Sequence, residues 1–558
     1  MKKNMPVGVS DFKKVRENYY FVDKTGFIKE LLDNHNDITL FTRPRRFGKT
    51  LTMSMLDYFF SVDKKDVSKD LFRGLAIDQA GPTYMQHQGQ YPVIFLTLKG
   101  VSNDSWDQLY GAFTFFIQKE FMKHPYLWQS SILNSVEKRY AERIMEGTAQ
   151  PFEYQMSLLQ LTDFLARYFK KNVIVLIDEY DVPIQSAYQH GFYHKAIEFF
   201  RGWFNNTLKD NASLQFAILT GVLRIAKESI FSGLNNLDVY SVLSKEYGHV
   251  FGFTPAEVEE ITIAFSCTTK LKEITDWYDG YSFGNTDIYN PWSVTNYISR
   301  NCEADTYWAN TSDNAILRDL LQQANTTRLQ ALQELMNGGI IRTSIDESVI
   351  YRYIGQCDAS LYSIMLNTGY LKAIRRDVTT SDIVQYDVKI PNKEVKQVYK
   401  REILSSVVQG LDINVFLNFA NALVEGNGEY VYQRLQDILL KMVSFYDVRP
   451  KESFYHGLLL GMTCLLEGPF YHVESNRESG YGRFDLAIFP TDSNRHGIIM
   501  EFKVAKTKDQ LVEKAQEALE QIEEKAYITE FRKRQIHNVW KYGIAFCGKQ
   551  VKVIANSL

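Results

Sequence analysis

Asp37-Ile38-Thr39-Leu40-Phe41-Thr42-Arg43-Pro44-Arg45-Arg46-Phe47-Gly48-Lys49-Thr50 reads as a short buried strand running into a loop. The apolar residues from Leu51 to Phe60 that follow read as a helix. Strand, loop and helix in that order are what a phosphate loop requires, because backbone N–H groups at the helix start cradle phosphates while a lysine reaches the outer ones. Lys49 is that lysine, and Thr50 supplies a hydroxyl for Mg2+. The stretch departs from G-x-x-x-x-G-K-[ST] at its first position, where Arg43 stands in place of glycine. A G-K-[ST] tripeptide arises by chance in roughly one chain in four of this length, so its surroundings must carry the argument.

The strongest of those surroundings is Val173-Ile174-Val175-Leu176-Ile177-Asp178-Glu179, an unbroken β-branched run ending in two acids. Such a run suits a strand buried on both faces of a parallel sheet. Asp178 at its end is placed to hold Mg2+, and Glu179 to orient or deprotonate an attacking water. Pro92 to Leu98 and Gln215 to Thr220 bring the count of candidate strands to at least four, separated by helical segments. An α/β sheet with helices on both faces is the expected fold. Thr220, at the end of the last of these strands, and Arg224 shortly after it are candidates for approaching the γ-phosphate.

The words Tyr20-Phe21-Val22-Asp23-Lys24-Thr25, Arg43 to Thr50, Ile177-Asp178-Glu179-Tyr180-Asp181 and Thr220-Gly221-Val222-Leu223-Arg224 resemble the AAA-ATPase-like family of bacterial proteins, whose members commonly end in a PD-(D/E)XK nuclease domain. The resemblance includes the arginine at the first loop position. It implies a P-loop NTPase (AAA-like) parallel sheet over residues 1–245 that binds ATP and Mg2+. The residues expected around the nucleotide are Arg43, Arg46, Phe47, Gly48, Lys49, Thr50, Asp178, Thr220 and Arg224. Glu179 is the expected catalytic acid, and Thr50 and Asp178 are the expected metal ligands.

Between the two ends the chain carries little chemistry. Thr254 caps a helix whose first turn contains Pro255 and Glu257, and aromatic, turn-rich words follow at Trp277 to Gly284 and Tyr289 to Trp292. We expect a small helical or winged-helix-like unit over 246–345, with these aromatics forming its core rather than stacking on bases, because basic residues are sparse there. Residues 346–440 read as a helical connector built from amphipathic stretches such as Val395 to Val408; Leu317 to Leu335, before it, reads the same way.

The last hundred residues return to chemistry. Gly482-Arg483-Phe484-Asp485-Leu486-Ala487-Ile488-Phe489 alternates like a strand, and Gly497-Ile498-Ile499-Met500-Glu501-Phe502-Lys503 reads as its hairpin partner. Glu501 and Lys503 share one face of that strand. Two acids on neighbouring strands, with a lysine two residues past the second, form the Asp...Glu-x-Lys core of a PD-(D/E)XK nuclease-like α/β domain, placed at 441–558. Asp485 and Glu501 are the expected ligands of Mg2+ or Mn2+, and Lys503 the group that positions water or offsets transition-state charge. The family resemblance adds Gln521, in Gln521-Ile522-Glu523-Glu524-Lys525-Ala526-Tyr527, and an upstream acid for which Glu452 is preferred over Glu474. Lys506, Lys508, Arg532, Lys533 and Arg534 are candidate phosphate contacts.

Composition sets the outer limits. The 558 residues exceed what one hydrophobic core supports, and 45% hydrophobic with 23% charged residues is ordinary globular usage. A net charge of -3 provides no global field toward nucleic acid, so any such contact must come from local patches. Five scattered cysteines form no C-x-x-C pair, and no apolar stretch approaches the ~20 residues of a membrane span, so a cytoplasmic protein with no membrane partner is expected. The resulting expectation is an ATP-binding and ATP-hydrolysing protein coupled to a Mg2+-dependent nuclease acting on DNA, compatible with an oligomer. The alternative is an NTP-dependent switch whose last domain binds nucleic acid or protein without cutting.

Overall fold

The apolar runs of the first half become five parallel strands: β1 (Ile38–Thr42), β2 (Val93–Thr97), β3 (Val173–Asp178), β4 (Leu214–Gly221) and β5 (Leu237–Tyr240). Their spatial order is β2-β3-β4-β1-β5, with β5 an edge strand that the pattern reading did not pick out. All residues of β1 and β3 are buried, as both-face coverage by crossover helices demands. The strands divide their side chains by period two. Ile38, Leu40, Val173, Val175, Ile177, Ala217 and Leu219 pack with Phe113, Leu161, Phe200 and Trp203 from the helices Trp106–Met122, Ser157–Phe169 and Tyr193–Leu208. The helix Lys49–Phe60 covers the opposite face, where Phe60 meets Phe216 edge-on at 5.5 Å.

The computed structural model of the chain describes residues 3–557 except 226–229, 232, 309–330, 333, 337, 348–357, 379–383, 408–412, 443–454, 456–457, 460–461, 464–465, 467, 469 and 480–481. It divides into two units, residues 1–312 with 342–395 and residues 313–341 with 396–558. The first unit holds the parallel sheet and, behind it, three helices (Pro255–Ala264, Leu271–Tyr278, Pro291–Ser299) with a hairpin of β6 (Tyr281–Phe283) and β7 (Thr286–Ile288). Tyr278, Tyr289, Val294, Tyr297 and Tyr307 form a core there, so most of the aromatic words are spent on packing. Thr254 caps its helix in a capping box with Glu257.

The stretch 346–440, expected to be a helical connector, is helical only in part: the helices Asp358–Thr368, Lys393–Val407, Ile413–Glu425 and Gly428–Met442 are joined there by two strands. β8 (Ile341–Thr343), β9 (Lys372–Val378) and β10 (Val384–Lys389) form a three-stranded sheet in the order β8-β10-β9. Ile374, Arg375 and Arg376 are exposed in succession on β9, so this strand lacks the alternation by which a strand is read, and Arg342 closes on Asp387 through two hydrogen bonds of 2.8 and 3.1 Å. The helices Ile413–Glu425 and Gly428–Met442 are no connector. Phe416, Phe419, Leu423, Val431, Leu435 and Ile438 pack into the core of the second unit. The helix Lys393–Val407 stands where an amphipathic stretch was read, whereas most of Leu317 to Leu335 falls outside the described residues.

The second unit carries a five-stranded mixed sheet, β11 (Tyr471–Ser479), β12 (Gly482–Pro490), β13 (Gly497–Val504), β14 (Val539–Cys547) and β15 (Gln550–Ser557), in sequential order, with only β13 and β14 parallel. The helix Leu511–Glu524 is the crossover that a parallel pair needs. Among the described residues no helix is long and apolar enough to cross a membrane.

Candidate functional site

The strand order places β4 between β1 and β3, so the phosphate loop and the acidic strand end are separated by one strand. The carboxylate of Asp178 spans that gap. Its Oδ2 accepts from Thr50 Oγ1 at 2.6 Å and its Oδ1 accepts from Thr220 Oγ1. Thr220 is therefore a buried support beneath the acid rather than a residue facing phosphate. Arg224 does not line the cleft.

Loop residues alternate in direction. Arg43 and Phe47 point inward, where Arg43 donates to the carbonyls of Thr42, Tyr240 and Tyr247 and lies over the rings of Phe283 and Phe251. Phe47 sits 4.9 Å from Tyr281 and 5.3 Å from Phe283. The arginine that replaces the first loop glycine thus anchors the loop from below and does not reach a ligand with its guanidinium, a correction to its expected place at the nucleotide. Its side chain needs the carbonyl partners because a buried guanidinium without them would be prohibitively costly.

Arg45 and Arg46 point outward into a cleft of about 660 Å3, lined also by Gly48, Lys49, Thr50, Glu179 and Asp181. Arg46 has φ 69° and Gly48 φ 89°, and left-handed turns at these two positions lead into a helix N-terminus that no side chain caps. Such turns aim successive N–H groups at one point and suit an anion. Lys49 Nζ meanwhile donates to the carbonyls of Arg43 and Pro44 at 2.8 and 2.9 Å. Burial pulls its ammonium down to about 8 against the opposing pull of Asp178, Asp181 and Glu179. A negative charge in the cleft would raise that proton affinity again.

Glu179 has φ 56°, a left-handed conformation that glutamate rarely adopts, and it turns the chain so that its carboxylate lines the cleft. Burial, and then the neighbouring Asp178, raise its proton affinity. That direction suits a general base. Asp181, quoted in the sequence word without a role, has Oδ2 accepting from the N–H groups of Val222 and Leu223 at 2.9 and 3.0 Å, which ties the turn after β4 to the turn after β3. Pattern reading also missed Trp292, Phe253, Lys99 and Gln185, which line the same cleft from distant segments. Arg46 stacks over Trp292 at 4.4 Å. Nothing in the sequence near these residues announces them, since only folding brings them to the loop.

In the second unit the predicted acids converge. The β12–β13 ladder ends at Leu486 opposite Met500, and beyond it side chains take over the pairing. Phe502 N donates to Asp485 Oδ2 at 2.7 Å, and Asp485 N points at Glu501 Oε2 at 3.4 Å. Gln521, from the Leu511–Glu524 helix, donates to Glu501 Oε1 and accepts from Lys503 Nζ at 2.5 Å, while Lys503 Nζ lies 3.7 Å from Glu501. The same Gln521 nitrogen donates to Tyr527 OH at 3.2 Å. Burial, with Asp485 beside it, raises the Glu501 carboxyl to about 8. Two hard carboxylates, close enough to repel and partly desolvated, fit a divalent cation. Among the described residues no third His, Cys, Asp or Glu joins them, and Glu452 lies outside the described residues. Glu474 is committed to Arg534 at 2.9 Å. Arg534 in turn lies over Phe489 at 3.8 Å, so this arginine is structural, whereas Lys506, Lys508 and Arg532 are exposed.

Residues 6–231 match the family described as predicted AAA-ATPase, and residues 450–556 match the PD-(D/E)XK nuclease superfamily. An uncharacterized protein in the vnfD 5' region of Azotobacter chroococcum mcd 1 is 26% identical over 554 residues, covering 96% of this chain and 94% of the relative. No solved structure matches the chain.

Proposed function

We propose that this chain, with its AAA-ATPase-like segment and its PD-(D/E)XK nuclease superfamily segment, binds and hydrolyses ATP in its first unit and cleaves DNA with a divalent metal in its second. The observation that carries the first part is the Thr50–Asp178 contact of 2.6 Å at the mouth of the phosphate loop. A hydroxyl and a carboxylate so placed would supply two hard oxygen ligands to Mg2+, leaving room for water and phosphate oxygens. Bound Mg2+ would supply charge neutralisation across the β- and γ-phosphates. Loop N–H groups and Lys49 hold those phosphates. Glu179 takes the proton of the attacking water as its oxygen bonds to Pγ, and the bond from Pγ to the β,γ-bridging oxygen breaks with its electron pair leaving on ADP.

For the second unit the support is the Asp485–Glu501–Lys503–Gln521 cluster. Asp485 and Glu501 would hold Mg2+ or Mn2+, whose chemistry there is to polarise a phosphodiester and acidify a water. Lys503, steadied by Gln521, offsets charge on the phosphorus centre, and the exposed Lys506, Lys508 and Arg532 contact the backbone of the strand.

Three substitutions test these roles together. Lys49→Ala abolishes fluorescent ADP binding, and Glu179→Gln binds ATP without turning it over. Glu501→Gln loses calorimetric Mn2+ binding and cleavage of plasmid or single-stranded DNA. A parent chain that cuts neither DNA nor RNA with Mg2+ or Mn2+, with or without ATP, would replace nuclease action by a nucleotide-dependent switch.

A further inference from the structure

Five cationic side chains line the nucleotide cleft: Lys24, Arg45, Arg46, Lys49 and Lys99. Four have evident occupations. Lys24 is ion-paired with Glu257 at 2.6 Å and donates to the carbonyl of His249 at 2.7 Å. Arg46 stacks on Trp292, Lys49 belongs to the phosphate loop, and Lys99 acts electrostatically on Glu179. Arg45 is different. Its Nη2 donates to the neutral amide oxygen of Gln185 at 3.3 Å. Gln185 lies on the helix Val182–Gln189, which begins just after Glu179. The guanidinium therefore bridges the loop wall and the acid wall of the cleft, which is where the γ-phosphate and its attacking water must lie.

Two further observations favour a charge role. Arg45 is exposed, yet its field depresses the proton affinity of Lys49, so the two cations are close enough to feel one another. Like charges held together in a cleft favour an anion between them. The Arg45 carbonyl also accepts from Trp308 Nε1 at 3.1 Å, and Trp308 is fully buried, so the backbone that launches this side chain is fixed before any ligand arrives.

We infer that Arg45 is the cis-acting arginine of ATP hydrolysis, supplied by the phosphate loop itself, and that it contacts the γ-phosphoryl oxygens as negative charge redistributes toward the bridging oxygen. The inference rests on the nucleotide-hydrolysis reading above. A planar guanidinium pairs with two oxygens at once, which a lysine ammonium does not. An arginine inside the loop makes turnover in one chain independent of a neighbouring copy's arginine.

The test uses the full-length chain and Arg45→Ala, Arg45→Lys and Lys99→Ala. Each is titrated with fluorescent ADP, and with ADP plus aluminium fluoride and Mg2+, which mimics the phosphoryl group in flight; turnover is measured alongside. Arg45→Ala keeps ADP affinity within about threefold. Its affinity for the aluminium fluoride complex falls about 10²-fold or more, and turnover falls about 10³-fold or more, the range for a transition-state arginine. Arg45→Lys recovers only part of both. Equal losses for ADP and for the complex, an unchanged affinity for the complex, or a larger selective loss in Lys99→Ala would each overturn the assignment. A parent chain that binds no ADP would instead remove the nucleotide reading and the role of Arg45 with it, an outcome distinct from the others.

Discussion

At the scale of single residues, small and charged positions are dictated by their neighbours. A Cβ on Gly221 would stand 2.6 Å from the Tyr180 ring and 2.8 Å from Asp181 Oδ1. Gly221→Ala must therefore push away the acid that holds the N–H groups of Val222 and Leu223. We expect a loss of about 1–3 kcal/mol from overpacking, read as a lower unfolding temperature, together with weakened ADP binding. Glu501 makes a pH prediction. Its folded, metal-free carboxyl sits at about 8, above its ordinary 4.5. The proton is therefore bound more tightly in the folded state, and the stability this contributes is complete below about 4.5 and is lost as pH rises toward 8. A metal ligand must shed that proton, so Mn2+ affinity rises with pH up to about 8 and levels off above it. Calorimetric titrations at pH 6, 7, 8 and 9 check this; a flat profile in the parent would contradict it.

Among elements, the Leu511–Glu524 helix matters most, because it delivers Gln521 to both Glu501 and Lys503. It lies so close to β14 that a Cβ on Gly543 would come within 2.2 Å of Ala515 O and 2.8 Å of Leu519 N. Gly543→Ala is expected to lift the helix, costing about 1–3 kcal/mol and withdrawing Gln521 from the site. Mn2+-dependent cleavage falls while ADP binding stays at the parental level. If cleavage survives with the second unit measurably destabilised, Gln521 is dispensable. The strands β9 and β10 show the reverse problem of legibility. Ile374, Arg375 and Arg376 are exposed in succession on β9 and β10 is half-buried along most of its length, so neither strand carries the alternation by which a strand is read.

For the whole molecule, each unit has its own hydrophobic core, one around the parallel sheet and one around the β11–β15 sheet. Units of this kind fold largely on their own terms. Lys49→Ala is therefore expected to leave Mn2+ affinity within about threefold of the parent, and Asp485→Asn to leave ADP affinity equally unchanged, since sites without shared partners behave additively. Both follow from paired titrations on the same preparations. A reciprocal loss would show that the two sites are coupled.

The sequence by itself determined which residues are the candidates at both sites. Val173 to Asp178 and Gly497 to Val504 are interior strands whose apolar runs are buried, and their acids stand out because a carboxylate inside such a run needs partners or a ligand to offset its burial. Lys49, Thr50 and Asp178 were legible for the same reason, as were Asp485, Glu501 and Lys503. Only the tertiary structure decided which cations line the cleft. Arg43, Arg45 and Arg46 are indistinguishable as letters, but the turn at Arg46 and the aromatic layer of Phe251, Tyr281 and Phe283 send the first inward and the other two into the cleft. Residues from 251 to 283 lie more than two hundred positions from the loop, and side-chain direction set by so distant a contact leaves no trace in the local pattern.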